Sequence, residues 1–336
     1  MKRKEFFQKG LASGVLLGSS AWIGASDAAD QNKDEKKVPD NKVPRGYDVD
    51  NAEVRVERSV PGKPHKGKTF MAIQPHSDDI PIYAGGLVAK LLDEGYEGYL
   101  CSVTDDGREG PERYMQCRID NQNIANYYGM KGSFELLMAH HQLDSLGIQD
   151  LKGRFTFLFR AFKIDTVICY DPWGHDEENP DHYITALAVQ AAAWTSGEKD
   201  YQEHFAAGIG PYSVREKYYY SRANERNNVI VDISDHIDKK VEANLLNLGK
   251  GPSGNNGVRL RQRLAKEGKR LPLLDGDDHT TNFNYAKTFN FNVEKRLGEK
   301  YGLQYAEGYH YIGRPPRNST VLSPREEYIL KNAVSL

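Results

Sequence analysis

The 336-residue sequence predicts an α/β fold, in which a mostly parallel sheet is covered on both faces by helices. Two observations indicate this class. From about residue 66, short apolar runs alternate with longer amphipathic ones, as strands and helices do in parallel α/β proteins. The short runs are continuously apolar, which is typical of strands buried on both faces. Apolar residues make up 39% of the chain, enough for a substantial core.

The first 28 residues predict a signal peptide, so we expect an exported protein, periplasmic or secreted. MKRKEFFQKG is basic, LASGVLLGSSAWIGA is a short apolar run, and small residues follow it at the expected cleavage site. The apolar run is too short and too rich in Gly and Ser to predict a stable membrane span. The charged segment 29–65 predicts a flexible tether and lead-in. Residues 66–336 then form one domain with an extended C-terminal region.

Four strands and three helices are predicted in the first half of this domain. The strands are 68–74, 96–104, 133–139 and 165–170. The helices are 80–94, 110–129 and 182–195. Proline near the start of the second helix and Gly129 at its end are the usual signals of helix boundaries.

The last third of the chain is less regular. Strands are predicted at 216–221 and 227–234, a helix at 235–249, and a basic helix after a Gly- and Asn-rich turn within 251–270. We expect the Lys and Arg residues of that basic helix to form a solvated face rather than a binding patch. The net charge of −2 also argues against nucleic acid as a partner.

Histidine and aspartate are concentrated directly after four predicted strands. The segments are PHSDD (75–79), TDDGREG (104–110), HHQLD (140–144) and DPWGHDEENPDH (171–182). Ligand crevices of open α/β sheets lie at the carboxyl ends of the strands. We therefore expect the four segments to meet at one edge of the sheet.

Two of these segments predict a metal site. His76 and Asp79 lie three residues apart at a strand-to-helix turn and can face one point, and His182 completes the set. Two histidines, one carboxylate and an open position are typical of catalytic Zn²⁺, although iron or cobalt would accept the same ligands. A cation would offset the repulsion between Asp78 and Asp79. Asp78 is then placed to take a proton from a metal-bound water.

The same segments resemble two motifs of a known family. PHSDD (75–79) is similar to the AHPDD motif of the LmbE-like, or PIG-L, zinc-dependent de-N-acetylases, and NPDH (179–182) resembles their HPDH motif. The resemblance spans about residues 66–195. It implies a Rossmann-like three-layer sandwich, one Zn²⁺ ion, and removal of an N-acetyl group from an amino sugar or glycoconjugate.

The resemblance also implies roles for single residues. His76, Asp79 and His182 would be the metal ligands, and Asp78 the general base. Candidate substrate contacts are Arg118 and Asp144, from the resemblance, and Asp106, Trp173 and His175, from their places after the strands. Trp173 could stack on a sugar or only anchor its loop, and Asp106 could line the pocket or form an ordinary turn. His140 and His141 could be pocket residues or strand-end polar groups, and we favour the latter.

Asn179 departs from the family pattern, which has histidine there. Its amide can donate one hydrogen bond to an oxyanion, a contact worth about 2.7–4 kcal/mol, but it cannot carry a proton. Protonated Asp78, or His175, could protonate the leaving amine instead. We expect a sugar de-N-acetylase. The alternatives are a metal-dependent hydrolase of another amide or ester and a non-catalytic, metal-dependent sugar-binding protein.

Overall fold

A mixed sheet forms the centre of the fold. The computed structural model describes residues 54–223, 225–251, 254–313 and 324–334. In chain order, the strands of this part are β1 (Arg55–Glu57), β2 (Thr69–Gln74), β3 (Glu97–Thr104), β4 (Gly132–Met138), β5 (Thr166–Tyr170), β6 (Glu216–Tyr220), β7 (Val229–Asp232) and β8 (Ala306–Ile312). Their spatial order is β1-β7-β8-β6-β5-β2-β3-β4. The predicted signal peptide lies outside the described residues, as does the tether up to residue 53.

Only β8 runs against its neighbours in the described sheet. It pairs antiparallel with β6 and β7, whereas the other strand pairs are parallel. All five residues of β5 are buried, as a central strand covered on both faces requires. The α/β class with a mostly parallel sheet is therefore confirmed.

Helices form two packed groups around this sheet. The helices are α1 (Asp79–Tyr83), α2 (Gly85–Asp93), α3 (Pro111–Tyr128), α4 (Ile148–Ala161), α5 (Pro180–Thr195), α6 (Gln202–Ala206), α7 (Ile237–Leu246), α8 (Asn256–Lys266), α9 (Asp278–Tyr285), α10 (Asn292–Lys300) and α11 (Pro324–Asn332). α1, α2 and α3 pack with α7, while α4 packs against α5. None of the described helices combines the length and the apolar character that a bilayer crossing needs.

The predicted helix 80–94 is two helices, α1 and α2. The chain breaks at Ala84, and the two glycines that follow lie too close to neighbouring elements for a side chain. A Cβ atom on Gly86 would lie 2.6 Å from Ile233 Cγ2. At the start of α2, the buried carboxylate of Glu307 accepts the backbone N–H groups of Gly86 and Leu87 at 2.9 and 2.8 Å. The break fixes α1 as a separate short helix beside the end of β2.

Helix α4 and strand β8 were not predicted from the sequence. Helix α4 contains Gly153 and an aromatic run, both poor helix formers, so its packing decides its structure. Its Phe155 and Phe159 side chains are fully buried. Strand β8 (AEGYHYI) carries Glu307 and His310, which are buried only because distant residues bind them.

The carboxyl of Glu135 on β4 should make the free energy of unfolding depend on pH. Burial raises its pKa from 4.5 to about 7, although the bond from Asn121 Nδ2 opposes the rise. Below about pH 4.5 the Glu135 carboxyl is protonated in both the folded and the unfolded chain and costs no stability. As the pH rises to 7, the unfolded chain loses this proton first, so the free energy of unfolding falls. The full shift corresponds to about 3 kcal/mol. Since Glu135 is only half-buried, we expect Glu135→Gln to raise the free energy of unfolding at pH 8 by about 1 kcal/mol.

Urea unfolding at pH 4.5 and pH 8 measures this difference. The gain should be absent at pH 4.5. Glu97→Gln is the matched control, since the exposed Glu97 pairs with Lys131 on the surface and should show no comparable gain at pH 8. Equal effects of Glu135→Gln at both pH values would contradict the assignment.

Candidate metal centre and active site

A cavity of about 280 Å³ lies beyond the carboxyl ends of β2 to β5. All four His- and Asp-rich segments contribute side chains to it. Those side chains are His76, Asp78 and Asp79; Asp106, Arg108 and Glu109; His140 and His141; and Asn179 and His182. The parallel strands thus bring together groups that are more than 100 positions apart in the chain.

His76, Asp79 and His182 form a compact triangle of possible ligand atoms in this cavity. His76 Nδ1 lies 3.0 Å from His182 Nε2. The Asp79 carboxylate lies 3.5 Å from His76 Nδ1 through Oδ2 and 3.7 Å from His182 Nε2 through Oδ1. Zinc–ligand bonds of about 2.0–2.1 Å in a tetrahedron need ligand atoms roughly 3.3 Å apart. The spacing of the three groups therefore suits a tetrahedral cation.

A carboxylate lies beside the second nitrogen of each histidine, and the Arg222 guanidinium also lies 3.4 Å from His182 Nδ1. His76 Nε2 lies 3.0 Å from Asp181 Oδ2, and His182 Nδ1 lies 2.9 Å from Glu177 Oε2. These carboxylates favour the N–H on the nitrogen that they face. The lone pairs of His76 Nδ1 and His182 Nε2 then point at each other and at Asp79. A cation between the lone pairs would stabilise this arrangement, in which the Asn179 amide, 3.3 Å from His182 Nε2, is the neighbouring donor.

The Asp79 carboxylate is held rigidly by its surroundings. Its Oδ2 accepts the His76 backbone N–H at 2.8 Å, and its Oδ1 accepts the Tyr170 hydroxyl at 2.9 Å. Burial alone would raise the pKa of Asp79, but the His76 and His182 rings lower it below its ordinary value. For the same reason the pKa of His76, which burial lowers, is raised to about 9 by its bonds with Asp181 and Asp79. The cluster attracts positive charge.

Asp78 differs from Asp79 in its environment. It lines the cavity and is half-buried. Burial raises the pKa of Asp78 to about 7, and the neighbouring Asp79 charge adds to the rise. A carboxylate whose pKa lies near neutrality can both accept and return a proton at physiological pH. Asp78 can therefore exchange a proton with a group bound in the cavity.

Asn179 caps helix α5 and also faces the metal ligands. Its side-chain Oδ1 accepts the Asp181 backbone N–H at 3.0 Å, which is an N-cap bond. That bond leaves the amide Nδ2, 3.3 Å from His182 Nε2, as the group that points into the site. The amide can therefore donate a hydrogen bond to a group held in the cavity.

One of the predicted substrate contacts, Asp106, lines the cavity. Its carboxylate already accepts the Ser77 backbone N–H at 2.8 Å and binds Lys250 Nζ at 2.6 Å. Burial would raise the pKa of Asp106, but the bond with His140 and the Lys250 charge lower it. Asp106 thus stays ionised and ties three segments together.

The other four predicted contacts are not among the residues that line this cavity. Arg118 binds within its own helix α3, and Asp144 is exposed in a short 3₁₀ turn. Trp173 packs against the ring of Tyr219, as a loop anchor does. His175 is exposed, and its backbone and ring bind the segment that follows β6. Their roles as substrate contacts stay predictions.

Several residues that line the cavity were not predicted to do so from the sequence. His140 and His141, for which strand-end polar groups were favoured over pocket residues, both line it. Tyr170 at the end of β5 stacks on the His182 ring, with the ring centroids 4.1 Å apart. Arg222 and Lys250 come from loops after β6 and α7. Sequence motifs did not predict Arg222 and Lys250, because only folding of the chain brings their loops to the site.

A second group of possible ligands shares His76. His140, His141 and Asp181 offer atoms within 4.8 Å of one another and of His76. Asp181 already accepts the backbone N–H groups of His141 and Leu143, at 2.7 and 3.2 Å. This carboxylate therefore orients His76 and the β4 loop. The triangle of His76 and His182 with Asp79 is the better cation site.

Comparisons with known proteins agree with this geometry. Residues 71–193 match the family model described as PIG-L, GlcNAc-PI de-N-acetylase. Diacetylchitobiose deacetylase of Thermococcus kodakarensis is 26% identical over 185 residues, which cover 52% of this chain and 67% of that protein. The 1D-myo-inositol 2-acetamido-2-deoxy-α-D-glucopyranoside deacetylase of Mycobacteroides abscessus is 22% identical over 160 residues, 38% of this chain and 57% of that protein.

A solved structure has a similar fold. The N,N′-diacetylchitobiose deacetylase of Pyrococcus horikoshii superposes with a TM-score of 0.57 at 23% identity, over 76% of this chain and 89% of that one. The match to the family model includes both motif segments and therefore every ligand of the triangle. The comparisons thus identify residues 71–193 as a de-N-acetylase domain of the PIG-L type, an amidohydrolase.

Proposed function

We propose that the protein is an exported, Zn²⁺-dependent enzyme that removes the acetyl group from an N-acetylated amino sugar in a glycan or glycoconjugate. The observation that carries this proposal is the pair of facing histidine nitrogens beside Asp79, with Asp78 on the wall of the same cavity. The relatives' substrates, diacetylchitobiose and an acetamido-deoxy-glucopyranoside, support an N-acetyl sugar.

Zn²⁺, when held by His76, Asp79 and His182, would supply a Lewis acid that activates water and polarises the acetyl carbonyl. Asp78 accepts a proton from the attacking water and then returns it to the leaving amine. Its raised pKa suits both transfers. Asn179 donates its amide N–H to the oxyanion that forms from the carbonyl oxygen. Asparagine cannot be the acid, so Asp78 carries both proton steps.

Acetate release tests the proposal. Purified, zinc-loaded protein is incubated with N-acetylglucosamine, its dimer and longer oligomers, and an N-acetylated glycolipid headgroup, and acetate is measured. We expect release from at least one of them and none after chelation of the metal. Sugar binding without acetate from any substrate would favour the alternative, a metal-dependent sugar-binding protein.

The Glu177 carboxylate orients His182, so it should affect metal affinity more than turnover. We expect Glu177→Gln to lower Zn²⁺ affinity about 10- to 100-fold, because the His182 Nδ1–H loses its charged partner. At saturating Zn²⁺, kcat should return close to that of the parent protein. Competition with a fluorescent chelator gives the affinity. The adjacent, exposed Glu178, changed to Gln, is the matched control and should leave the affinity unchanged.

Export is proposed from residues 1–28 alone. Fractionation of cells that express the full chain, or the chain from residue 29, tests it. The full chain should lose its first residues and leave the cytoplasm, whereas the shortened chain should stay there.

A further inference from the structure

A second cavity adjoins the catalytic one. Its volume is about 610 Å³, more than twice the 280 Å³ of the catalytic cavity. It lies between α3 and the segment from the end of α7 to α9. Arg113 and Lys250 line both cavities, so the two are neighbours across these side chains. The wall from α7 to α9 lies outside residues 71–193, the part matched by the family model.

The wall between the cavities is anchored to the catalytic loops. Asn247 Nδ2 donates to the backbone oxygen of Ser77 at 2.9 Å, within the segment that carries the metal ligands. The Gly249 N–H donates to Asp120 on α3 at 2.6 Å. Lys250 Nζ binds Asp106 at 2.6 Å. These contacts therefore hold the second cavity at a fixed position relative to the catalytic one.

The charges of the two cavities differ. Four carboxylates line the catalytic cavity, whereas the described side chains that line the second one include no carboxylate. The second cavity has three cationic side chains, from Arg113, Lys250 and Arg259. Arg113 pairs with Glu109 at 3.3 Å, and Lys250 with Asp106. Arg259 has no ion-pair partner among the described residues, and its guanidinium is exposed.

The remaining lining suits a sugar. Amide side chains come from Asn255 and Asn282, and His279 also lines the cavity, with its ring bound to Glu242 Oε2 at 3.0 Å. The Leu248 side chain is 71% exposed there, which offers an apolar surface to the C–H face of a sugar ring. Arg259 of the basic helix α8 is exposed and lines this cavity.

We propose that the second cavity binds an anionic unit of the substrate, a sugar that carries a carboxylate or a sulfate, next to the N-acetylated sugar in the catalytic cavity. The substrate class is then an acidic N-acetylated oligosaccharide. This inference rests on the proposed de-N-acetylase function. Arg259 supplies the unpaired cation, and Arg113 and Lys250, which line both cavities, flank the linkage between the two sugars.

Three tetrasaccharides with a terminal N-acetylglucosamine test the inference. One alternates N-acetylglucosamine with glucuronate, the second carries sulfate in place of the carboxylate, and the third is a neutral N-acetylglucosamine tetramer. We expect kcat/KM for one acidic substrate to exceed that for the neutral one about tenfold, and 0.5 M salt to reduce this preference. The acidic substrate with the higher kcat/KM shows whether the second cavity prefers a carboxylate or a sulfate.

Arg259→Gln should lower kcat/KM for the preferred acidic substrate about 5- to 10-fold, through KM, and leave the neutral substrate unchanged. Lys266→Gln removes the same charge from the same helix about 10 Å further along it and is the matched control. Equal rates for all three substrates, or a preference that survives Arg259→Gln, would overturn the inference but leave the de-N-acetylase function intact.

If no substrate releases acetate, the proposed function fails instead. Calorimetric titration of the acidic and neutral tetrasaccharides then still tests the cavity. Binding of an acidic one that Arg259→Gln weakens supports the inference, and equal binding of all three overturns it.

Discussion

His182→Ala is expected to remove both the bound metal and the deacetylase activity. In the proposed site this side chain supplies one of the three candidate ligand atoms, His182 Nε2, which lies 3.0 Å from His76 Nδ1. A Lewis acid stabilises the transition state of amide hydrolysis by several kcal/mol. Its loss should therefore lower kcat/KM at least about 10³-fold. Zinc per protein is measured by mass spectrometry, and acetate release on the best N-acetyl sugar gives the rate.

His65→Ala is the control for this change. His65 lies before β2, with its Nε2 3.3 Å from Glu94, and it does not line the catalytic cavity. The zinc content and the rate of acetate release of His65→Ala should match those of the parent protein. Full zinc content in His182→Ala would show that this residue is not a ligand.

Asp78→Asn should keep the metal and lose the chemistry. The asparagine has nearly the same shape but cannot accept the proton of the attacking water. Positioned general bases typically contribute 10²- to 10⁴-fold, and we expect kcat to fall by that factor. Metal affinity should not fall, because Asp79 rather than Asp78 lies within 4 Å of both histidines.

Asp93→Asn makes the same chemical change at the end of α2, where Asp93 pairs with Lys239 on the surface. That variant should keep the full rate. An Asp78→Asn protein that is fully active with its zinc bound would refute the assignment of the base.

The sequence predicted those parts of the fold and site that local patterns encode. Strands β2, β3 and β5 are continuous apolar runs, and the His- and Asp-rich segments that follow them occupy one edge because the strands are parallel. His76, Asp78, Asp79 and His182 were found in this way, and the structure brings all four to one cavity.

Other parts depend on contacts that no local pattern encodes. Helix α4 forms because Phe155 and Phe159 are buried. Strand β8 carries Glu307, whose buried carboxylate is bound by Lys240 and by the start of α2, both far away in the sequence. The cation of Lys250 comes from the C-terminal third, and its place beside Asp106 follows only from how α7 packs against α3.

The most direct test of the account is anomalous diffraction at the zinc edge from crystals of the zinc-loaded protein. The account predicts one strong peak about 2.0–2.2 Å from His76 Nδ1, His182 Nε2 and the Asp79 carboxylate. The absence of a peak there, or a peak held instead by His140, His141 and Asp181, would contradict it.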